Sequence, residues 1–373
     1  MSTVSYHSGR FPPEKRLNWP RLVPLLGPAA AALGRYDELL GRVPNPRLLL
    51  APLMTREAVL SSRIEGTQAT MGDVLQFEAG QEPASPRRRD DIQEVLNYRA
   101  AMGQAETLLT GGRLPLCQRV LKAAHNVLMQ GVRGANKSPG AYRRIPNWIG
   151  PPGCDREQAR FVPIAADQLP QAMDAWERYI HSEAQDRLVQ LAILHAEFEA
   201  LHPFLDGNGR LGRMLVPLFL WQAELIRAPV FYMSAHLEAH RNAYYERLLA
   251  VSRDDDWTGW CHFFLDAIRQ QAEDNLIKAQ GILGLYDAMK EQVINLTHSQ
   301  YAIPALDWIF RRPIFKSTDF VKQAGIPAPT ARRILKCLRD SNICTTMVEA
   351  RGQRAAILTF PELLTITEGN PAL

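Results

Sequence analysis

One interruption constrains this chain more than any other feature: a helical stripe stops at His202-Pro203 and a second starts after Gly207-Asn208-Gly209. Leu188, Leu191, Ala192, Leu194 and Phe198 recur at helical spacing up to Leu201. Pro203 disfavours helix geometry at the residue before it, which puts His202 at a break. Helical spacing resumes from Arg210 to Leu225, with a kink expected at Pro217, since an interior proline costs about 3 kcal/mol. The glycine-rich loop therefore sits at a helix N-terminus. Such an end presents unpaired N–H groups and the positive pole of the helix dipole, and it accepts phosphate.

The residues around that loop form a set. Gly207 and Gly209 let backbone approach a ligand closely. Arg210 and Arg213, on one face of the first turns, can clamp phosphate oxygens. Asp206 offers a hard oxygen suited to Mg²⁺. His202 can take a proton near neutral pH. A base, a metal ligand and an anion cradle this close together make a phosphoryl- or nucleotidyl-transfer kit.

Around this centre the chain reads as almost entirely helical. The prolines at 12, 13, 20, 24 and 28 exclude a long helix before about residue 28 and predict an extended arm. Helical spacing then runs from Ala29 to Thr110, interrupted at Val43-Pro44-Asn45-Pro46 and over Glu82 to Arg89, where Arg87-Arg88-Arg89 reads as a solvated loop before a helix start. Further helices are predicted over 114–132, 169–201, 236–252 and 257–290. Between the first and second of these stretches, Gly140 to Gly150 and Ala159 to Pro163 are two short β-prone pieces around a turn-rich Pro151-Pro152-Gly153, predicting an irregular hairpin.

The stretch His202-Pro203-Phe204-Leu205-Asp206-Gly207-Asn208-Gly209-Arg210-Leu211-Gly212-Arg213 matches the signature HPFx[D/E]GNGRxxR, so the chain resembles the Fic-domain proteins, most of which are protein adenylyltransferases (AMPylases). The resemblance implies a mainly α fold: a Fic-type helical bundle with a small β-hairpin flap. It implies that His202 deprotonates a Ser, Thr or Tyr hydroxyl of a target protein, which attacks the α-phosphate of ATP. Asp206 would hold Mg²⁺. Gly207, Asn208, Gly209, Arg210, Leu211, Gly212 and Arg213 would surround the phosphates. Residues 140–163 resemble the flap, which docks the target as an added strand. Here Ile164-Ala165-Ala166 stands where many members continue with prolines. Arg241-Asn242-Ala243-Tyr244-Tyr245 resembles a segment lining the adenine pocket, with Tyr245 the preferred stacking partner over Tyr244.

Upstream, Ser61-Ser62-Arg63-Ile64-Glu65-Gly66 matches [S/T]xxxE[G/N], the mark of an inhibitory helix in the same family, here over about 50–66. The resemblance implies that Glu65 pairs with Arg213 and keeps it from the γ-phosphate, with Ser61 helping to fix the helix and Gly66 completing the inhibitory motif. It also allows another nucleotide donor, removal of AMP, self-modification and a homodimer.

These readings give three regions: 1–110 with the inhibitory helix, 111–290 as the catalytic core with its flap, and 291–373 as a C-terminal domain. The last reads as helix 303–310, helix 317–324, a turn at Gly325, helix 328–340, and β-like runs 343–348 and 355–360 joined around Arg351-Gly352-Gln353. That order is a winged helix-turn-helix. Ten Lys/Arg stand against four Asp/Glu between 301 and 360, with Arg332-Arg333 on the presumed recognition helix, so a nucleotide-sensing DNA-binding regulator is the alternative reading and a protein contact a further one.

Composition narrows the class. Hydrophobic residues at 46% and charged residues at 22% predict a folded chain. A net charge of +4 is too weak to name a polyanionic partner for the whole chain. Five cysteines without a CxxC pair argue against a disulfide framework or zinc site and favour a reducing cytoplasm. No signal-peptide core is evident, and no apolar run approaches the ~20 residues that span a bilayer, so no membrane partner is expected.

Overall fold

The computed structural model describes residues 3–43, 45–132, 136–151, 153–352 and 354–369. Pro44, Pro152 and Gln353, assigned to loops above, lie outside the described residues, as do the ends of the two outer regions. A short strand β1 (Val4–Ser5) opens the chain, followed by helices α1 (Trp19–Arg42), α2 (Pro46–Leu49), α3 (Ala51–Ile64), α4 (Met71–Glu78), α5 (Pro86–Leu109) and α6 (Gln118–Leu128). Then come β2 (Phe161–Val162), α7 (Leu169–Ile180), α8 (Arg187–Leu201), α9 (Asn208–Gln222), α10 (Ser234–Ala239), α11 (Arg241–Asp254) and α12 (Trp257–Thr297). The last stretch holds α13 (Ala302–Arg311), β3 (Ile314–Lys316), α14 (Ser317–Gln323), α15 (Ala328–Asp340), β4 (Thr345–Val348), β5 (Ile357–Thr359) and α16 (Pro361–Glu368).

The arm is shorter than its prolines predict, because α1 begins at Trp19 and contains Pro24 and Pro28. Pro20, Pro24 and Pro28 recur every fourth residue and are all exposed, so the lost N–H donors fall on the solvent face. The opposite face buries Leu22, Ala29, Ala32, Leu33 and Tyr36, and α1 packs along α12. That burial outweighs the local cost; a fully buried Leu alone contributes roughly 1.5–3 kcal/mol.

Other boundaries shift where a cap is available. Ser85 accepts from Arg88 N with Pro86 at the first helical position, so the three arginines lie in the first turn of α5 rather than in a loop. The helix expected over 169–201 divides in two, because Asp186 accepts from Leu188 N and Val189 N and starts α8 afresh. The helix expected over 236–252 likewise divides at His240. Helix α9 runs through Pro217 without interruption.

The expected hairpin over 140–163 reduces, among the described residues, to one antiparallel bridge between Ile149 and Phe161. Phe161–Val162 pairs instead in parallel with Val4–Ser5 of the arm. His7 anchors that arm: its ring nitrogens meet Glu197 Oε2 at 2.8 Å and Ser252 Oγ at 2.7 Å, all buried.

Helix α12 spans 41 residues, about 60 Å at ~1.5 Å per residue. It packs against α1, α8 and α11 and continues to α13, α15 and α16, carrying the core into the C-terminal region. There β3, β5 and β4 form an antiparallel sheet in that order. Strand β3 and helix α16 are not announced by the sequence. Helix α3 is buried on most sides, contacting α5, α9 and α10 within the body and α13 and α16 at the C-terminal end.

Candidate functional site

Helix α8 ends at His202, whose backbone is left-handed (φ 48°, ψ 59°). Arg143 holds this strained end. Its guanidinium donates to His202 O at 2.9 Å and Leu201 O at 3.3 Å, and also to the carbonyls of Ile164 and Ile145. The Leu201 and His202 carbonyls are among those a helix C-terminus leaves without internal partners. The loop after His202 closes on Asn208, whose amide accepts from Phe204 N and donates to Phe204 O, both at 2.8 Å. The Asn208 side chain thus builds the loop. Gly207 caps α9 with φ 77°, and a Cβ there would come within 3.1 Å of Met129 Sδ. Beneath the loop, His125 stacks on Phe204, meets the Asp206 carbonyl at 3.0 Å and accepts from Gly140 N at 2.8 Å.

A cavity of about 430 Å³ opens beside this loop, a size ordinary for small-molecule sites. Glu65, Glu199, His202, Gly209, Arg213 and Tyr245 are among its lining residues, with Tyr244 and the bridged pair Ile149 and Phe161. The arrangement brings His202 at the end of α8, Arg213 of α9 and Tyr245 of α11 to a single pocket, which Arg160 and Arg241 also line. Arg213 is buried. Its Nε donates to Ser61 Oγ at 2.8 Å, and its Nη2 donates to Ser61 O at 2.9 Å and to Glu65 Oε1 at 2.7 Å. Tyr245 OH donates to Ile64 O at 3.4 Å, tying α11 to the end of α3. Glycine provides the room: a Cβ on Gly209 would stand 2.2 Å from Glu65 Oε1.

The remaining expected residues divide. Asp206 lies on the loop, its Oδ1 accepting from Gly207 N at 2.6 Å and facing Arg210 Nη2 at 3.3 Å. Arg210 also pairs with Glu94 at 3.3 Å. Gly66 follows α3 with a positive φ of 100°. Leu211 and Gly212 do not line the pocket: Leu211 is buried in the hydrophobic core, and Gly212 packs behind it with its carbonyl 3.0 Å from His195 Nδ1. The helical period turns them away from the face that Gly209 and Arg213 share. Tyr244 is buried with its hydroxyl 2.8 Å from His195 Nε2, and Tyr245 beside it is more open to the pocket.

Electrostatics follow from burial and from Arg213. Burial pushes the His202 imidazole down to about 4, with the Glu199 carbonyl and Glu65 opposing, so the ring is neutral at pH 7 and free to accept a proton. Burial would raise the Glu65 carboxyl, but Arg213 outweighs it and the net direction is down. The Glu65 side chain is 35% exposed toward the pocket, so solvent weakens this pair. Sequence reasoning missed Glu199. It is one helical turn before His202, and burial pushes its carboxyl up to about 7, with Glu65 adding and Arg213 opposing. Its place three residues before the motif histidine is visible in the sequence, but its burial is not.

Among the described residues no cluster of three or more His, Cys, Asp or Glu could hold a metal unaided. Asp206, partly exposed beside the loop, suits an ion that arrives with its own phosphate ligands. No helix is long and apolar enough to cross a membrane among the described residues.

Comparison with known proteins gives consistent matches. Residues 23–107 match the Fic/DOC family N-terminal profile and residues 115–220 the Fic/DOC family profile. "Protein adenylyltransferase Fic" of Drosophila yakuba is 28% identical over 130 residues, covering 34% of this chain and 23% of its own length. A probable protein adenylyltransferase of Aquifex aeolicus is 28% identical over 96 residues, covering 26% of this chain and 30% of its own. The chain thus spans under a third of these curated relatives. Among solved structures, a Fic family protein from Desulfovibrio desulfuricans superposes with TM-score 0.58 at 22% identity, covering 91% of this chain and 96% of that one. Fic-1 from C. elegans superposes with TM-score 0.51 at 18% identity, covering 69% and 71%. At these identities the structures establish the likeness of fold.

Proposed function

For a chain that carries Fic/DOC family domains over residues 23–107 and 115–220, we propose protein adenylyltransfer: movement of AMP from ATP to a Ser, Thr or Tyr hydroxyl of a target protein, held off by Glu65. One observation carries the reading. His202 and Arg213 face one pocket at the N-terminus of α9, and Arg213 is already engaged by Glu65 at 2.7 Å.

In this reading neutral His202 takes the hydroxyl proton, the hydroxyl oxygen bonds to the α-phosphorus, and pyrophosphate leaves with the electron pair of the broken P–O bond. The negative triphosphate raises the basicity of His202 above its value in the empty pocket. Arg143 holds His202 in place through the carbonyls of Leu201 and His202. The N-terminal amides of α9 and Arg210 receive phosphate oxygens, and Tyr245 receives the base. A Mg²⁺ bound with the nucleotide would sit at Asp206 and neutralise phosphate charge. The extended pieces at 147–150 and 160–162 border the pocket, where an extended target segment can reach His202. Since β1 already occupies the outer edge of Phe161–Val162, the acceptor would pair on the Asn147–Gly150 side.

The order helix, strand, two helices and a two-stranded wing over 302–359 supports reading the C-terminal region as a winged helix. The transfer reading is tested by incubating the protein with α-labelled or γ-labelled ATP. Label should reach protein only from the α-position and be lost in His202→Ala. Transfer from the γ-position would instead mean phosphorylation.

A further inference from the structure

We propose that the outward face of α15, with the wing between β4 and β5, binds duplex DNA. The surface gathers exposed basic side chains from α14, α15 and the wing. Some exposed arginines elsewhere face carboxylates: Arg160, Arg247 and Arg253 each have an acidic partner within 3.4 Å. Lys322, Arg332, Lys336 and Arg339 are exposed, and no ion pair among the described residues involves any of them. Arg351 and Arg354, paired across the tip of the wing, are exposed and likewise without a carboxylate. Six like charges left unpaired on one small domain repel one another unless a polyanion covers them.

Their geometry selects the polyanion. Arg332, Lys336 and Arg339 recur at i, i+4 and i+7, one stripe along α15. The inward stripe, Ala331, Ile334, Leu335 and Leu338, is buried in the core, so the basic stripe must face out. Lys322 and the Ser317 and Thr318 hydroxyls of α14 flank it across a shallow groove of about 600 Å³. A single exposed helix of this diameter fits a DNA major groove about 12 Å wide. The wing arginines then reach the adjoining backbone, as phosphate contacts that fix register. Acids stand aside: Asp319 lines a different cavity, toward α3 and α4, and Asp307 accepts from Tyr286. Asp340 ends α15 and Glu349 lies on the wing, which keeps the face from being uniformly basic. Arg333, on the other side of α15, donates to the Thr297 carbonyl at 2.8 Å and fixes the helix to the end of α12. The face is rigidly presented.

The test uses the full chain and a labelled 24-base-pair duplex, followed by fluorescence anisotropy as salt is raised. With about four or five phosphates neutralised, the log–log salt slope should be near −4, a loss of roughly 250-fold between about 50 and 200 mM salt. Arg332→Glu/Lys336→Glu should weaken binding at least about tenfold and flatten the slope by about 2, while Arg21→Glu on α1 leaves both unchanged. Label transfer from α-labelled ATP should be unaffected by Arg332→Glu/Lys336→Glu, separating this surface from the nucleotide pocket. No binding at 50 mM salt, equal loss with Arg21→Glu, or equal affinity for polyglutamate as for the duplex would overturn the proposal. Thermal unfolding of the double variant, unchanged from the parent, excludes misfolding as the cause of a loss.

Discussion

Glu65 meets Arg213 at 2.7 Å across 148 residues of sequence, and Ser61 grips the same guanidinium through both its hydroxyl and its carbonyl. An arginine held three ways by α3 has little left to offer a phosphate. Two glycines of α9 make this possible and also admit a second carboxylate. Gly209 gives room to Glu65, and Gly212 gives room to Glu199. Arg213 therefore works under the influence of two acids of different character, one ionised and one near its midpoint at neutral pH.

The Gly212 contact gives a first prediction. Glycine to alanine within a helix ordinarily stabilises by up to ~1 kcal/mol. Here the new Cβ would lie 2.2 Å from Glu199 Oε1, an atom that is buried, so the sign reverses. Gly212→Ala should destabilise by about 1–3 kcal/mol in denaturant unfolding. Gly212→Ala/Glu199→Ala should lose less than the sum of its parts by at least about 0.5 kcal/mol. Additive losses would show that the two residues do not contend for the same space.

Glu199 also sets a pH dependence. Its folded pKa is raised from 4.5 to about 7, so the folded protein binds the proton more tightly than the unfolded chain. Its contribution is complete below pH 4.5 and is lost as pH rises through about 7. The parent protein should lose on the order of 2–3 kcal/mol relative to Glu199→Gln between acidic and alkaline conditions. Parallel stability curves for the two proteins from pH 5 to pH 8 would contradict this.

Much of the site can be read from the sequence because its chemistry is contiguous. His202, Gly209 and Arg213 occupy one short stretch, and helix period alone puts Gly209 and Arg213 on a common face. Leu211 and Gly212 show the limit of reading a motif as a block: the same period turns them into the core. Glu199 was not legible, since a glutamate within a helix reads as exposed until packing buries it. Helix α1 failed in the opposite direction. Its prolines spoke for an extended arm, and only the partner surface on α12, remote in sequence, reverses that. The link between Glu65 and Arg213 came from a family resemblance, not from any local pattern.

Arg143 is a positioning residue for the proposed transfer, acting on His202 through backbone carbonyls. Arg143→Ala should lower kcat for transfer at least about tenfold, in the range typical of impaired proton transfer, and leave KM for ATP within about twofold. Lysine should not rescue, since an ammonium cannot span four carbonyls from one place. A large rise in KM with kcat preserved would place Arg143 in nucleotide binding instead.

In the proposed function Glu65 withholds Arg213 from the nucleotide. It is tested most directly by the initial rate of label transfer from α-labelled ATP in the parent, Glu65→Gly and Glu65→Gly/His202→Ala proteins, with a cell lysate supplying acceptors. The rate should be at least about tenfold higher in Glu65→Gly, the equivalent of roughly 1.4 kcal/mol of barrier, and disappear in the double variant. Equal rates in the parent and Glu65→Gly, with both proteins folded and binding ATP, would contradict it.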